Sequence, residues 1–304
     1  MKNSPFSIHN LNPGLVTEVE RAYEQNVEAG RVIDDKFSGT VAKDGLAGLL
    51  ETELQSSRDR GNFVGAAGLE TIKNIDSRQS LESAILDIHA LFNEIGLNVP
   101  TANEITECGV DLAVLAERYE SMKKNGLQPH WVLAPHLDYK DWHSLYASIA
   151  MNGSMPRSTQ HSSRKSYGLD IDREILNLFD SLDTVPVPAP RVKSIEGAEC
   201  DWTLRLIPGT KEPTSKNIHY DDPSYLDKPS LSEYLTMQAR TLQYGQSSFD
   251  NSDNWTWIGT SFTKNGNRIG VRGTYDGYSG AVILKPLIAN HRSPKVGMRV
   301  PVWR

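Results

Sequence analysis

The spacing of apolar residues changes partway along the chain, and this change constrains the fold more than any other feature of the sequence. Before residue 183, apolar residues recur every three to four positions, as on one face of an amphipathic helix. After the proline-rich stretch DTVPVPAPRV they alternate with polar residues, as in DWTLRLIPG, which is the period of a strand. The sequence therefore predicts an α+β protein with a helical N-terminal domain and a strand-rich C-terminal domain.

Four long helices are predicted in the first 150 residues, each from an apolar stripe. The predicted segments are 13–37, 46–61, 77–96 and 101–126. The last three end at a glycine, a usual helix terminator. Thr101 and Glu104 have the spacing of a capping box. A short strand in WVLA and a further helix in HLDYKDWHSLYASI complete the predicted helical domain, 1–150.

A linker and a second domain follow. Residues 151–190 combine a polar stretch, a short helix in DIDREILNLFDSL and the stiff proline-rich connector. Residues 191–304 form the second predicted domain, with one helix in KPSLSEYLTMQARTLQYG. Its predicted strands are DWTLRLIPG, NWTWIGTSF, NRIGVRGTY, GAVILKPLIA and VGMRVPVW.

Charge is divided unevenly along the chain. Of its 32 basic and 38 acidic residues, eight basic and one acidic lie in 255–304, so this segment carries +7 and the remainder −13. Such a division indicates different faces or partners. Two interpretations stay open: the basic strands bind an anionic partner, or they dock on an acidic domain of the same chain.

Two short segments have the residue types of a metal site. They are HLDYKDWH, with His136, Asp138, Asp141 and His143, and NIHYDD, with Asn217, His219, Asp221 and Asp222. The helical spacing of the first does not bring all four side chains to one face. The second lacks the alternating acids and glycine turn of a calcium loop. We therefore predict no metal site, and a metal-dependent enzyme using His219 with Asp221 or Asp222 is the alternative.

Motifs of nucleophilic catalysis and nucleotide binding are missing from the sequence. It contains no G-x-S-x-G elbow, no G-x-G-x-x-G after a strand and no Walker A loop. Cys108 and Cys200 match no zinc or redox spacing, and we expect both to be buried, reduced thiols. The chain is predicted not to be an enzyme, with no catalytic residues.

Two loops of the second domain have the composition of binding loops. RGTYDGYSG places Tyr275 and Tyr278 in a glycine-rich turn, where we expect both rings to be exposed, and LIANHRSPK is a second polar loop. Tyr, Asn, Ser, Gly and Arg suit binding loops because they combine rigid contact area with adaptable hydrogen bonds. Ordinary polar turns are the alternative explanation.

Five segments of the second domain resemble a known family. They are CDWTLRLIPG, SLSEYLTMQ, NWTWIGTSF, YSGAVILKP and VGMRVPVW. Together they resemble the C-terminal domain of variable proteins made by diversity-generating retroelements, which is similar in fold to C-type lectins and formylglycine-generating enzymes. Trp255 and Trp257 match the family's Trp-rich strand, and Gly297 and Arg299 match its final G-x-R. The resemblance covers about residues 190–304. It implies a C-type-lectin-like α+β domain with a small twisted antiparallel sheet.

The resemblance also implies that the last strand is buried within the sheet. The residues expected on one side of it are Val296, Met298, Val300 and Val302, with Arg299 and Trp303 on the other. The stretch 259–295 between the fixed flanks is then free to vary and to bind ligand. The candidate ligand-binding residues are Thr260, Lys264, Asn265, Asn267, Arg268, Arg272, Tyr275, Asp276, Tyr278, Asn290, His291, Arg292 and Ser293.

Two departures limit what the resemblance implies. Formylglycine-generating enzymes bind copper through cysteines late in the domain, and no cysteine follows Cys200 here. Calcium-dependent lectins use a Glu-Pro-Asn or Gln-Pro-Asp triplet and a Trp-Asn-Asp triplet, of which this chain has only Glu212 and Pro213. We predict neither copper nor calcium, and no other cofactor.

The predicted function is therefore that of a non-enzymatic ligand-binding protein with a diversifiable surface. Its partner is expected to be a protein or a glycan, anionic ones included, and not a nucleic acid. A structural phage or surface assembly component, with residues 1–150 driving oligomerisation, is a further alternative. With no signal peptide and no run of 18 apolar residues, we expect a cytoplasmic protein without membrane insertion, and display on a cell surface or virion stays open.

Overall fold

Helices dominate residues 64–151, as the spacing of apolar residues predicts. A computed structural model describes residues 64–93, 95–151, 168–183, 191–193, 201–225, 227–244, 249–250 and 253–302. The helices in chain order are α1 (Ala66–Leu69), α2 (Ile75–Asn93), α3 (Ala102–Glu107), α4 (Leu112–Lys124), α5 (Tyr139–Met151), α6 (Arg173–Leu176), α7 (Phe179–Leu182) and α8 (Leu231–Gln243). The helices predicted at 13–37 and 46–61 lie outside the described residues.

The predicted helix at 101–126 forms as two helices, α3 and α4. The capping box at its start is confirmed: the Thr101 amide donates to Glu104 Oε2 at 2.7 Å, and the Glu104 amide donates to Thr101 Oγ1 at 3.3 Å. The break falls at Gly109, whose φ of 90° belongs to the left-handed region that favours glycine. Asp111 then caps α4. Cys108, at the end of α3, is exposed, so the prediction that it is buried was wrong.

The strands form two sheets in which parallel and antiparallel pairs are mixed. In chain order they are β1 (Pro129–Pro135), β2 (Leu169–Ile171), β3 (Arg191–Lys193), β4 (Asp201–Pro208), β5 (Ser215–Lys216), β6 (Trp255–Lys264), β7 (Asn267–Asp276), β8 (Ala281–Ile288) and β9 (Val296–Met298). The small sheet has the order β1-β4-β3, and the large sheet the order β2-β8-β7-β6-β9-β5. The prediction of an antiparallel sheet was wrong, because β2 runs parallel to β8 and β9 parallel to β6. A long stretch of chain separates the two strands of each of these pairs, which allows parallel pairing.

Helix α8 contacts both sheets. Ser230 and Glu233 form its capping box, and nearly every residue of the helix is buried. Glu233 binds Arg205 of the small sheet, whereas Tyr234 lies against Gly273 of the large one, where an added Cβ would come within 2.2 Å of the ring. Burial of a charged side chain is unfavourable unless it is paired, and the bond with Arg205 offsets that cost for Glu233. Below, the face of the large sheet toward α8 is its inner face, and the opposite face is its outer face.

Strand β1 joins the two predicted domains in one sheet. It pairs antiparallel with β4 from Pro129 opposite Pro208 to Pro135 opposite Trp202. Side chains from both halves of the chain also share the main apolar core. All described residues belong to one compact unit, 59–304. The predicted domain boundaries stay predictions, because most of the linker is outside the described residues.

The last strand is buried, as the resemblance implies. β9 lies between β6 and β5, and Val296 and Met298 have no exposed surface. Both pack in a second apolar cluster on the outer face, with Val300 against them. Val302 differs from the prediction, because it pairs with Leu206 and packs on the main core instead. Trp303 lies outside the described residues.

None of the helices described in the structure is both long and apolar enough to cross a membrane.

Candidate functional site

The turn between β6 and β7 presents predicted site residues at one end of the large sheet. Lys264 and Asn267 pair across a two-residue turn, Asn265–Gly266, in which both residues have positive φ (50° and 76°). An Asn-Gly turn of this kind closes a hairpin because its twist matches that of the strands. All side chains from Thr263 to Arg268 are exposed.

The loop between β8 and β9 lies beside this turn. The Ala289 amide donates to the Arg268 carbonyl at 2.9 Å, and the Tyr220 amide donates to the Ala289 carbonyl at 2.7 Å. Asn290, His291, and Arg292 are exposed in this loop, and Ser293 is half-buried. The structure therefore brings together residues 263–268 and 290–295, which we call the loop surface.

Arg268 is held in place by groups from its own chain. Its Nη1 lies 2.8 Å from Asp221 Oδ1 and its Nε donates to Ser261 Oγ at 3.1 Å. The guanidinium carbon lies 5.3 Å from the centroid of the Tyr220 ring, within the range of a cation–π contact. These three contacts orient the side chain along the outer face.

Much of the charge excess of segment 255–304 is neutralised within the chain. Four of its basic residues form ion pairs with acids that precede the segment. The pairs are Lys264 with Glu174, Arg268 with Asp221, Lys295 with Asp253 and Arg299 with Asp250. This arrangement favours the interpretation that the basic strands dock on acids of the same chain. Among the described residues of the segment, Arg272, Lys285 and Arg292 form no ion pair.

Two predicted site residues are buried on the inner face and cannot contact a ligand there. Thr260 is 3 % exposed and lies in a bulge between Ile258 and Ser261. Tyr275 is 5 % exposed, so the expectation of an exposed ring was wrong. The reason is that β7 continues to Asp276, and strand alternation turns Tyr275 to the same side as Val271 and Gly273.

The remaining aromatic residue of that turn lies far from the loop surface. Tyr278 is 66 % exposed in the turn between β7 and β8, where Asp276 accepts hydrogen bonds from the amides of Tyr278 and Ser279. This turn and Arg268 are at opposite ends of β7, about 26 Å apart at the rise of an extended strand. The predicted site is therefore divided between two ends of one sheet.

The alternative site at NIHYDD is engaged in structural contacts. Asp221 binds Arg268, and Asp222 Oδ1 accepts the Ser224 amide at 3.0 Å. His219 is half-buried beside them. Across the residues that the structure describes, no three His, Cys, Asp or Glu side chains are grouped so that they could hold a metal ion.

The segment HLDYKDWH also uses its polar groups locally. Asp138 Oδ1 accepts the Asp141 amide at 2.9 Å, which caps the first turn of α5. His136 Nδ1 lies 3.1 Å from Asp183 Oδ2, and Asp183 also binds the amide and the hydroxyl of Ser232. Trp142 has no exposed surface and packs in the core.

Sequence reasoning missed a buried cluster around Arg205 and a nearly buried lysine, Lys228. Arg205 donates to both carboxylate oxygens of Glu233 and to Asp227 Oδ1, and neither Arg205 nor Glu233 has exposed surface. Lys228 is nearly buried and lies 4.5 Å from the centroid of the Tyr220 ring; burial lowers its pKa to about 8. Only the alternation of Arg205 with Leu204 and Leu206 was visible in sequence, and it is equally typical of a solvent-facing strand.

Comparisons with family models, with curated proteins and with solved structures gave no match for this chain.

Proposed function

We propose that the chain is a non-enzymatic ligand-binding protein and that its ligand contacts the loop surface. The observation that carries this proposal is the contrast in burial along 255–299. Residues 263–268 and most of 290–295 are exposed, whereas the flanks Trp257–Thr260 and Val296–Arg299 are buried. Exposed side chains between buried flanks contribute little to folding and are available to bind a ligand.

The backbone of the loop surface is ordered without help from most of its side chains. The Ala289 and His291 amides donate to the carbonyls of Arg268 and Ile288, both at 2.9 Å, and the Val296 amide donates to the Ser293 carbonyl at 3.0 Å. Side-chain substitutions at Asn267 and at residues 290–292 therefore leave these backbone hydrogen bonds intact. This supports a surface that tolerates sequence change, as in the variable proteins that the C-terminal segments resemble.

The ligand class that we propose is a protein or a neutral glycan. The basic residues Lys264, Arg268 and Lys295 do not argue for an anionic ligand at the loop surface, because each is paired with an acid of the same chain. Asn, His and Ser side chains, with Arg292, supply hydrogen bonds suited to either partner.

A quadruple variant, N267A/N290A/H291A/R292A, tests the proposal. Its control is K73A/E117A/S121A/K124A, which changes four exposed residues near α2 and on α4. Both proteins are compared with wild type on arrays of glycans and of purified cell-surface proteins, with urea unfolding as the check of folding. We expect both variants to unfold within about 1 kcal/mol of wild type and only the first to lose array signals. Equal binding by the two variants would count against the loop surface.

The proposed diversification has its own test in the surrounding DNA. If the surface is diversified by a retroelement, a near-copy of the codons for 255–304 lies beside a reverse transcriptase gene and differs mainly at adenines. Sequencing the flanks decides this. Flanks without such a copy would refute diversification and leave ligand binding to be judged by the arrays.

A further inference from the structure

A cation lies against an aromatic ring on the outer face of the large sheet. The guanidinium carbon of Arg272, in the middle of β7, is 4.2 Å from the ring centroid of Trp255 on β6. Both side chains are half-buried. Contact with the ring orients the guanidinium group, which has further N–H groups that a partner can bind.

A second cation stands directly opposite the first. In the register of β7 and β8, Arg272 pairs with Lys285, which is exposed. Side chains directly opposite each other in an antiparallel pair are close, and like charges in these positions destabilise the sheet. Local conflicts of this kind are expected at functional or strained sites.

Neither cation forms an ion pair within the part of the chain that the structure describes. Arg272 Nε is buried and has no hydrogen-bond partner there, and burial alone lowers the pKa of this guanidinium. The nearby charge of Lys285 contributes, after the hydrogen bonds from Ser279 and Tyr278, to lowering the pKa of Asp276, but Lys285 and Asp276 form no ion pair. Lys264, Arg268, Lys295 and Arg299 are each paired with an acid. Arg292 also has no ion pair within the described residues, but it lies in the loop between β8 and β9 and has no second cation opposite it in a strand register.

We propose that Arg272 and Lys285 bind a sulfate or phosphate group on the outer face, with Trp255 as one wall of the site. Arginine offers two parallel N–H groups to two oxygens of such an anion, and lysine adds a point charge. Two facing cations match a group that carries several charged oxygens. The site is separate from the loop surface and does not depend on it.

Thermal unfolding in sodium chloride and in sodium sulfate of equal ionic strength tests the site. The variants are R272Q and K285Q, and the control is K295Q, which removes an exposed cation that is paired with Asp253. Sulfate stabilises most proteins by exclusion from their surface, so the measured quantity is the difference between variants. We expect the gain in Tm from sulfate to fall by half or more in R272Q and K285Q and to stay unchanged in K295Q. Equal gains in all four proteins overturn the proposal.

The Tm of K285Q in sodium chloride alone is a second test, and here the variant is expected to be more stable than wild type. Because it removes the repulsion from Arg272, we expect K285Q to unfold about 1–3 °C above wild type when no oxyanion is present. A lower Tm than wild type under these conditions would show that Lys285 already has a partner, and would overturn the site.

Tryptophan fluorescence titrations identify the source of the anion. Inorganic phosphate, a sulfated heparin disaccharide and acetate are compared at equal ionic strength. Tighter binding of the disaccharide assigns the site to a sugar-borne group, and tighter binding of phosphate assigns it to the free ion. Equal binding of acetate contradicts a sulfate or phosphate site. The quadruple loop variant is expected to keep the wild-type anion response, so that failure of one proposal is distinguished from failure of the other.

Discussion

Arg299 and Asp250 form an ion pair in which neither side chain has exposed surface. Arg299 Nη2 lies 2.9 Å from Asp250 Oδ1. The same guanidinium group donates to the Pro208 carbonyl at 2.8 Å and to Thr256 Oγ1 at 3.2 Å. The arginine of the final G-x-R therefore connects the end of β9 to the small sheet through β4 and to the large sheet through β6.

Removing Asp250 leaves a buried, uncompensated charge on Arg299. We expect D250A to lower the free energy of unfolding by about 3–5 kcal/mol, because breaking a buried pair strands the remaining ion. The control K295A breaks an exposed pair with Asp253 and costs about 1 kcal/mol or less. Urea unfolding followed by far-UV circular dichroism measures both. A D250A protein as stable as K295A would show that Arg299 is not held by this carboxylate.

Local patterns were sufficient to predict most of the elements described here. The apolar stripe from Leu81 to Ile95, the capping box at Thr101 and the strand alternation around Trp202 each depend on residues close in sequence, and each corresponds to an observed element. The burial of the last strand could also be predicted, because Val296 and Met298 are apolar at the spacing of one strand face.

Pairing between distant segments could not be predicted from the sequence. β1 and β4 are separated by more than sixty residues, and nothing in WVLA specifies DWTLRLIPG as its partner. Burial of polar side chains was hidden for a related reason. Arg205 has the pattern of a solvent-facing residue, and only the approach of Glu233 on α8 makes its burial possible. The proposed anion site also depends on strand register, which places Lys285 opposite Arg272.

Replacement of Gly297 by alanine is expected to lower the stability of the protein. A Cβ at this position would lie 2.1 Å from the Ser215 carbonyl oxygen and 2.7 Å from the Pro213 Cβ. Because the nearest atom belongs to the backbone of the paired strand β5, we expect G297A to destabilise the protein by about 1–3 kcal/mol. At Gly277, in the exposed turn, the nearest atom would be 3.9 Å away. Equal urea midpoints for G297A and G277A would contradict close packing of β5 on β9.

Tyr275 and Tyr278 are expected to respond differently to truncation. Y275A removes a ring from the inner face and should cost about 3 kcal/mol or more, whereas Y278A should change stability by about 0.5 kcal/mol or less. The Tyr275 hydroxyl is buried and has no hydrogen-bond partner within the described residues. Y275F should therefore restore wild-type stability. Comparable losses in Y275A and Y278A would mean that Tyr275 is exposed in solution.

His130 is expected to make stability depend on pH. Burial, and secondarily the nearby charges of Arg240 and Arg299, lower its pKa from 6.5 to about 4. Above pH 6.5 the imidazole is neutral in both the folded and the unfolded chain, and its contribution to stability is complete. As the pH falls from 6.5 to 4, the unfolded chain binds a proton that the folded chain does not, so stability decreases, by about 3 kcal/mol in total.

The variant H130N separates this effect from the carboxylates that also titrate at acid pH. Since asparagine stays neutral, the difference in unfolding free energy between wild type and H130N should change across pH 6.5 to 4 and be constant above and below that window. H291N is the matched control, because His291 is exposed, and its pH profile should follow that of wild type. Parallel profiles for wild type and H130N would show that His130 takes up its proton as readily in the folded chain as in the unfolded one.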